Sequence, residues 1–325
     1  MYLNFIFINL LIFSTLFTIS SNSWMSIWMG LEFNLMSMIP LLSKFNLLNS
    51  ESTMKYFIVQ TISSAMLFMT IMMMFYFKNI INPLMMAMNL VIMMKLGAAP
   101  LHFWYIQIIE GMSWMNIFIL STWQKIAPMI LISYNFYNQI LIVIILLSAI
   151  MASISIINQV SIRKLMGYSS INHLSWMLTC ILINETLWNY YFLVYTLLSA
   201  NIMMLFNYMN LSLLNQTYMF KNFWLNTLNL MINFLSLGGM PPFIGFMPKW
   251  FLINNLMENK QFLLSITLFM LSLINLYMYI KMMNSIICLN TFKHKWNNMY
   301  NNNNIYMYLL SFNSMFMLIF CSFMI

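Results

Sequence analysis

The chain of 325 residues is 62% hydrophobic and only 6% charged, with a formal net charge of +8. Charged residues make up about a quarter of an ordinary soluble domain, so this composition excludes a water-soluble globular fold. The basic residues are scattered singly, without the stripe or aromatic platform that nucleic-acid binding requires; in a membrane protein a positive balance reports topology.

A bilayer core of about 30 Å takes roughly 20 apolar residues per helix. In chain order such segments run over Leu3–Ser20, Ser23–Leu42, Met54–Phe77, Leu84–Trp104, Trp114–Tyr134, Ile140–Ile157, Tyr168–Asn184, Trp188–Leu211, Leu225–Leu256, Phe262–Cys288 and Ile305–Ile325. They predict an all-α, polytopic membrane bundle of about 11 transmembrane helices, a single domain over residues 1–325. The N-terminal stretch lacks the basic region of a signal peptide and the arginines of a transit peptide, and reads as a retained first helix. Asn297–Asn304 is a polar, low-complexity loop with no assigned role.

Two segments cannot continue as simple helices. The ninth is too long for one crossing and contains Leu237-Gly238-Gly239-Met240-Pro241-Pro242, where glycines and prolines stop a helix. The fourth contains the milder Lys95-Leu96-Gly97-Ala98-Ala99-Pro100. Discontinuous helices near 95–100 and 237–242, in different halves of the chain, point to a transporter built from inverted repeats. The plainer alternative is a pair of ordinary kinks. Even-numbered loops, with the N-terminus, hold Lys44, Arg163, Lys164, Lys221, Lys293 and Lys295, whereas odd-numbered loops hold Lys78 and Lys260. The positive-inside rule then puts the N-terminus inside and the C-terminus outside.

Cys180, Cys288 and Cys321 form no CxxC pair and lie on apolar stretches, so they read as packing residues. His102, His173 and His294 are far apart, and no HExxH, phosphate loop or GxGxxG is present. No metal or nucleotide cofactor is therefore expected on this chain. The 39 Met, with abundant Ile, Phe, Asn and Tyr, fit an A+T-rich gene in which AUA is decoded as Met, as in many animal mitochondria. The alternative is a soft, gap-filling core, which leaves Asn and Tyr unexplained.

Four charges fall inside apolar segments away from snorkelling reach of an interface. Glu32 sits within Trp28-Met29-Gly30-Leu31-Glu32-Phe33-Asn34; Glu51, Glu110, Glu185 and Glu258 are placed in or beside loops. Lys95 and Lys125 lie midway along their segments, and Lys249 lies in the second half of the broken ninth. Lys55 and Lys281 read as lysines that snorkel to the interface. A charge at the bilayer centre costs about 2.5–3.5 kcal/mol on insertion scales. One Glu cannot pair three lysines, so a helix-gluing salt bridge is not the whole account. Burial disfavours a lysine's charge and a nearby carboxylate favours it, so moving Glu32 relative to Lys95 would change whether Lys95 holds its proton. One pKa unit is about 1.36 kcal/mol and moving a charge across 100 mV costs about 2.3 kcal/mol; the match makes proton transfer against a membrane potential feasible. His102, seven residues after Lys95, and His173 are candidate relays, each alternatively a hydrogen-bonded structural residue.

At these residues the sequence resembles the antiporter-like membrane subunits of mitochondrial respiratory complex I, in particular the NADH–ubiquinone oxidoreductase chain 2 family. The matching stretches are Trp28–Leu42, Lys95–Gly111, Thr122–Pro128, Ser169–Met177 and Leu235–Trp250. The resemblance implies two inverted five-helix bundles, each with a discontinuous helix. It implies that Glu32 is the essential acid, Lys95 its paired lysine, Lys125 the connecting lysine, and Lys249 the lysine of the second broken helix. The shorter N-terminus resembles the animal form. The expected function is proton translocation within an NADH:ubiquinone reductase of the mitochondrial inner membrane, with the N-terminus in the matrix. Expected partners are the other membrane-arm subunits and lipids, with no nucleic acid. NADH, FMN, iron–sulfur clusters and ubiquinone are implied for the complex and none for this chain. The competing readings are an Mrp-like cation/proton antiporter subunit and a structural membrane subunit without an active channel.

Overall fold

The computed structural model describes residues 2–43, 47–77, 81–135, 137–214, 216 and 224–288. The expected last helix, His294, Cys321, the Asn297–Asn304 tract and the loop lysines Lys44, Lys78, Lys221, Lys293 and Lys295 lie outside these residues. Thirteen helices occur among the described residues. The chain divides into two compact units, residues 1–148 and 149–325, with the boundary inside a helix.

The first unit holds α1 (Tyr2–Ser20), α2 (Trp24–Leu42), α3 (Leu47–Tyr76), α4 (Ile81–Leu96), α5 (Phe103–Gly111), α6 (Trp114–Ser121), α7 (Trp123–Tyr134) and the start of α8 (Asn138–Ile156). Ser23 caps α2, its hydroxyl accepting from the Ser26 N–H at 3.3 Å. The far end of α2 is held by Asn116 of α6, whose Nδ2 donates to the Leu41 carbonyl at 3.1 Å. Helices α1 and α2 pack closely because Gly30 of α2 leaves no side chain against Thr18 of α1. Helix α2 packs on α3, α3 on α4 and α5, and α4 on α7.

The second unit holds the rest of α8, then α9 (Ile162–Ile183), α10 (Glu185–Met209), α11 (Trp224–Gly238), α12 (Phe246–Glu258) and α13 (Phe262–Cys288). Here α9 packs on α10, α12 and α13, and α11 on α10 and α13. Asn210, at φ 50°, takes the left-handed conformation that ends α10.

Both expected discontinuities are present, and they use the same device. At the end of α4, Gly97 has φ +72°; its N–H reaches the Met94 carbonyl at 3.2 Å and the Ala98 N–H reaches Met93 at 3.1 Å. At the end of α11, Gly239 has φ +80°; its N–H reaches Ser236 at 3.0 Å and the Met240 N–H reaches Leu235 at 3.2 Å. Each is a Schellman cap, which satisfies the last carbonyls of a helix and turns the chain away. The prolines that follow cannot resume the helix directly.

A third break was not expected. The fifth segment divides at Thr122, between α6 and α7, where the Thr122 hydroxyl donates to the Phe118 carbonyl at 2.7 Å. Pro128 inside α7 has no N–H for the Gln124 carbonyl four residues earlier, and back-bonding by a threonine adds to the distortion. Glu51 is also corrected: it lies within α3, not in a loop, and pairs with Lys55 at 2.7 Å. Lys55 and Lys281 are at least partly exposed, as snorkelling lysines should be.

Six stretches among the described residues are long and apolar enough to cross a membrane: Trp24–Leu42, Leu47–Tyr76, Trp114–Tyr134, Asn138–Ile156, Glu185–Met209 and Phe262–Asn284. The halves of the broken helices are too short singly. Helix α9 is long but carries Arg163, Lys164, Asn172 and His173, and all of Ser169–Ile181 is buried. A helix surrounded by protein needs no apolar surface for lipid.

Gly245 starts α12 against α11, and a Cβ there would run into the Ser236 backbone carbonyl. At Gly238 a Cβ would meet only the Leu276 and Tyr279 side chains, at 3.3 Å or more. Gly245→Ala is therefore expected to cost about 3 kcal/mol through overpacking, and Gly238→Ala less than about 1 kcal/mol. Thermal unfolding of the two variants checks this; equal midpoints would contradict it.

Candidate functional site

In the first unit, Lys95 and Lys125 line one small cavity. Lys95 is in the last turn of α4, just before the Gly97 cap, and Lys125 in the first turn of α7, just after the Thr122 break. Helices α4 and α7 pack together, so two interrupted helices deliver their lysines to a shared space. The cavity measures about 30 Å³, against about 10–15 Å³ needed for one water, and so has room for about two. Asn34, Tyr56, Gln60 and Gln124 supply polar lining and Leu31, Leu35 and Leu96 apolar lining.

The lysines are deeply buried, Lys95 at 9% and Lys125 at 2% exposure. Their surroundings offset the cost in specific ways. Lys95 sits at the negative end of the α4 dipole. Glu32 of α2, half-buried, acts on Lys95 electrostatically. The Lys125 ammonium lies 5.7 Å from the centroid of the Tyr105 ring, contributed by α5. Gln124 Nε2 donates to Asn34 Oδ1 at 3.0 Å, tying α7 to the helix that carries Glu32.

His102 departs from expectation. A regular helix would have carried it near the Lys95 face, but the break intervenes. It sits at the N-cap of α5, 2% exposed and stacked on Phe103 with centroids 4.5 Å apart. It is outside the wall of the Lys95–Lys125 cavity.

The second unit holds Lys249 and His173. Lys249 is 6% exposed in the first turn of α12. Its ammonium donates to the Gly238 carbonyl at 2.9 Å, at the C-terminal end of α11, and lies 5.7 Å from the Trp176 ring centroid. Gly239 makes this reach feasible: a Cβ there would meet the Lys249 ammonium at 2.9 Å. His173 is on α9, one turn from Trp176; its Nδ1 is hydrogen-bonded to the Tyr191 hydroxyl of α10 at 2.9 Å, and the Tyr195 ring lies 5.1 Å away. Among the described residues no group of three or more His, Cys, Asp or Glu side chains is placed to hold a metal ion.

A family model described as NADH:quinone oxidoreductase/Mrp antiporter, TM matches residues 21–275. NADH-ubiquinone oxidoreductase chain 2 of Anopheles gambiae is 49% identical over 306 residues, covering 90% of this chain and 88% of the relative. The protein of the same name from Loxodonta africana is 38% identical, covering 84% and 82%. The chain belongs to the NADH-ubiquinone oxidoreductase chain 2 family. Its fold is shared with a chain of respiratory complex I from Thermus thermophilus (TM-score 0.86, 16% identity, 98% of this chain and 77% of that one). It is shared too with a chain of the Mrp complex from Dietzia (TM-score 0.76, 14% identity, 86% and 60%).

For this member of the chain 2 family, the structure adds residues that the sequence did not single out. Asn34, Gln60, Gln124 and Tyr105 surround the lysines of the first unit; in the second, Trp176 lies beside Lys249 and Tyr191 bonds His173. Asn34 carried a signal, being an amide two residues from Glu32 in an apolar run. Tyr191 carried none, because Tyr is common throughout this chain.

Tyr191→Phe removes one hydroxyl and leaves a buried ring nitrogen of His173 without that partner. It is expected to cost about 1–3 kcal/mol, read as a lower thermal midpoint. Tyr277→Phe, at a side chain 60% exposed on α13, is expected to be neutral. Equal midpoints for the two variants would contradict the assignment.

Proposed function

We propose that the chain is a proton-translocating membrane subunit of respiratory complex I, in which Glu32, Lys95 and Lys125 handle protons in the first unit and Lys249 in the second. The observation that carries this reading is that two lysines, from two interrupted helices, line one cavity large enough for about two waters. A proton leaving the Lys95 ammonium can cross such water to the Lys125 amine. Glu32 sets the direction: an approaching carboxylate holds the proton on Lys95, and a receding one releases it. At an effective dielectric constant near 20, a unit pair is worth about 4 kcal/mol at 4 Å, and doubling the separation halves that. The change of about 2 kcal/mol equals the work of moving one charge against about 100 mV. Movements of a few ångströms by Glu32 are therefore enough to drive the step.

In this reading the two compact units are halves of one antiporter-like domain over residues 1–325. His173 is the candidate relay of the second half. The chain takes part in NADH:ubiquinone reduction as the translocating element; NADH, FMN, iron–sulfur clusters and ubiquinone belong to other subunits. Its partners are the adjacent membrane-arm subunits and lipid, in the mitochondrial inner membrane. The N-terminus faces the matrix, on the distribution of loop lysines and arginines. The matching family model spans Mrp antiporters as well, which keeps a second reading open: cation/proton exchange with no redox partner.

Glu32→Gln, Lys95→Met and Lys125→Met, each in an assembled complex, are expected to lower NADH-driven proton transport into vesicles by about 10²-fold, the range for loss of a general acid–base group. NADH oxidation by an artificial acceptor should remain. Full transport in all three variants would favour a structural subunit without a channel. Cation/proton exchange by the wild-type chain in vesicles without NADH would favour the antiporter.

A further inference from the structure

The cavity wall holds a connection between the helix that carries the acid and the helix turn that carries the second lysine. Asn34 is on α2, two residues beyond Glu32, and is 5% exposed. Gln124 immediately precedes Lys125 in the first turn of α7 and is half-buried. Their amides meet at 3.0 Å, and both line the same space as Lys95 and Lys125.

The segment that Gln124 belongs to has a weakened backbone frame. It begins at the Thr122 break, and Pro128 offers no N–H to the Gln124 carbonyl. Side-chain ties therefore do more here than in a regular helix to fix where the first turn of α7 lies. On α2 the opposite holds. Glu32 and Asn34 lie in the interior of a capped helix of 19 residues, so a displacement of one carries the other along. A third amide, Gln60, approaches the Lys95 backbone carbonyl at 3.5 Å, at the outer limit of a hydrogen bond.

We propose that the Asn34–Gln124 hydrogen bond is a positioning latch that couples the helix bearing Glu32 to the helix turn bearing Lys125. A shift of α2 that changes the charge acting on Lys95 then moves Gln124, and with it Lys125, in the same event. One motion addresses donor and acceptor together: the carboxylate recedes from Lys95 as the receiving lysine is repositioned across the cavity. Asn34 and Gln124 are positioning residues in this scheme, since the protons move between the lysines. The inference rests on the proton-handling role proposed for this cavity.

The test uses the assembled complex in sealed vesicles, with Asn34→Leu, Gln124→Met, the double variant, the exchange Asn34→Gln with Gln124→Asn, and Lys125→Met in parallel. The readouts are NADH-driven proton transport and its solvent deuterium isotope effect. Loss of one interhelical hydrogen bond of about 1 kcal/mol corresponds to about a fivefold fall in rate. Either single variant is expected to show it, with a larger isotope effect as proton transfer becomes limiting. The double variant should be no worse than the singles, and the exchange should recover most of the rate. Gln124→Met, close to glutamine in volume, carries the test alone if Asn34→Leu does not assemble. Unchanged transport with an unchanged isotope effect in Gln124→Met overturns the latch, as do independent, multiplicative losses in the double variant. If Lys125→Met transports normally, the proton-handling reading itself fails. If only Lys125→Met loses transport, the latch fails and that reading stands.

Discussion

In hydrocarbon, a backbone amide or carbonyl without a partner costs several kcal/mol, so a chain that spans lipid must satisfy its own backbone. This protein interrupts its helices inside predicted spans, and local bonds answer that requirement at the glycine breaks. Gly97 and Gly239 turn the chain in the left-handed conformation, and the freed N–H groups return to the last carbonyls of α4 and α11. A side chain serves at the second break, where the Lys249 ammonium takes the Gly238 carbonyl. At the third, Thr122 returns its hydroxyl to Phe118. The first two interruptions are thus closed at the helix ends that the glycines form.

The same interruptions make buried charge tolerable. A lysine placed in the middle of a regular span meets only apolar neighbours. Lys95 instead stands at the negative end of a helix that stops beside it, and Lys125 in a first turn bordered by Tyr105 and Gln124. The two units solve the problem differently. In the second, Lys249 is engaged directly by a helix-end carbonyl and an aromatic face. In the first, the lysines look onto a cavity and Glu32 acts on Lys95 through space. The first arrangement sets the lysines against a space large enough for water; the second holds its ammonium at a helix end.

Much of this was legible in the residues. Gly-Pro punctuation located the breaks at 95–100 and 237–242, because glycine and proline act through the backbone at their own positions. Glu32, Lys95, Lys125 and Lys249 stood out because charge is rare in the chain. What could not be read depended on partners distant in sequence. The Thr122 break lies six residues before Pro128, and the stretch between them, without glycine, reads as continuous helix unless the missing N–H is counted. His102 looked like a neighbour of Lys95 only on the assumption of a continuous helix. The Gln124–Asn34 and His173–Tyr191 bonds join residues 90 and 18 positions apart, and no local pattern announces either. Helix α9 shows the converse: its polar residues weaken the hydropathy signal of a span because packing, not lipid, surrounds them.

The central claim is that Lys95 and Lys125 exchange protons through the cavity they share. An experimental structure of the assembled complex, at a resolution that shows ordered water, tests it most directly. The account predicts one or two ordered waters within hydrogen-bond distance of both ammonium groups, on a path lined by Asn34 and Gln124. A dry contact of apolar side chains separating Lys95 from Lys125 in every state of the complex would contradict it.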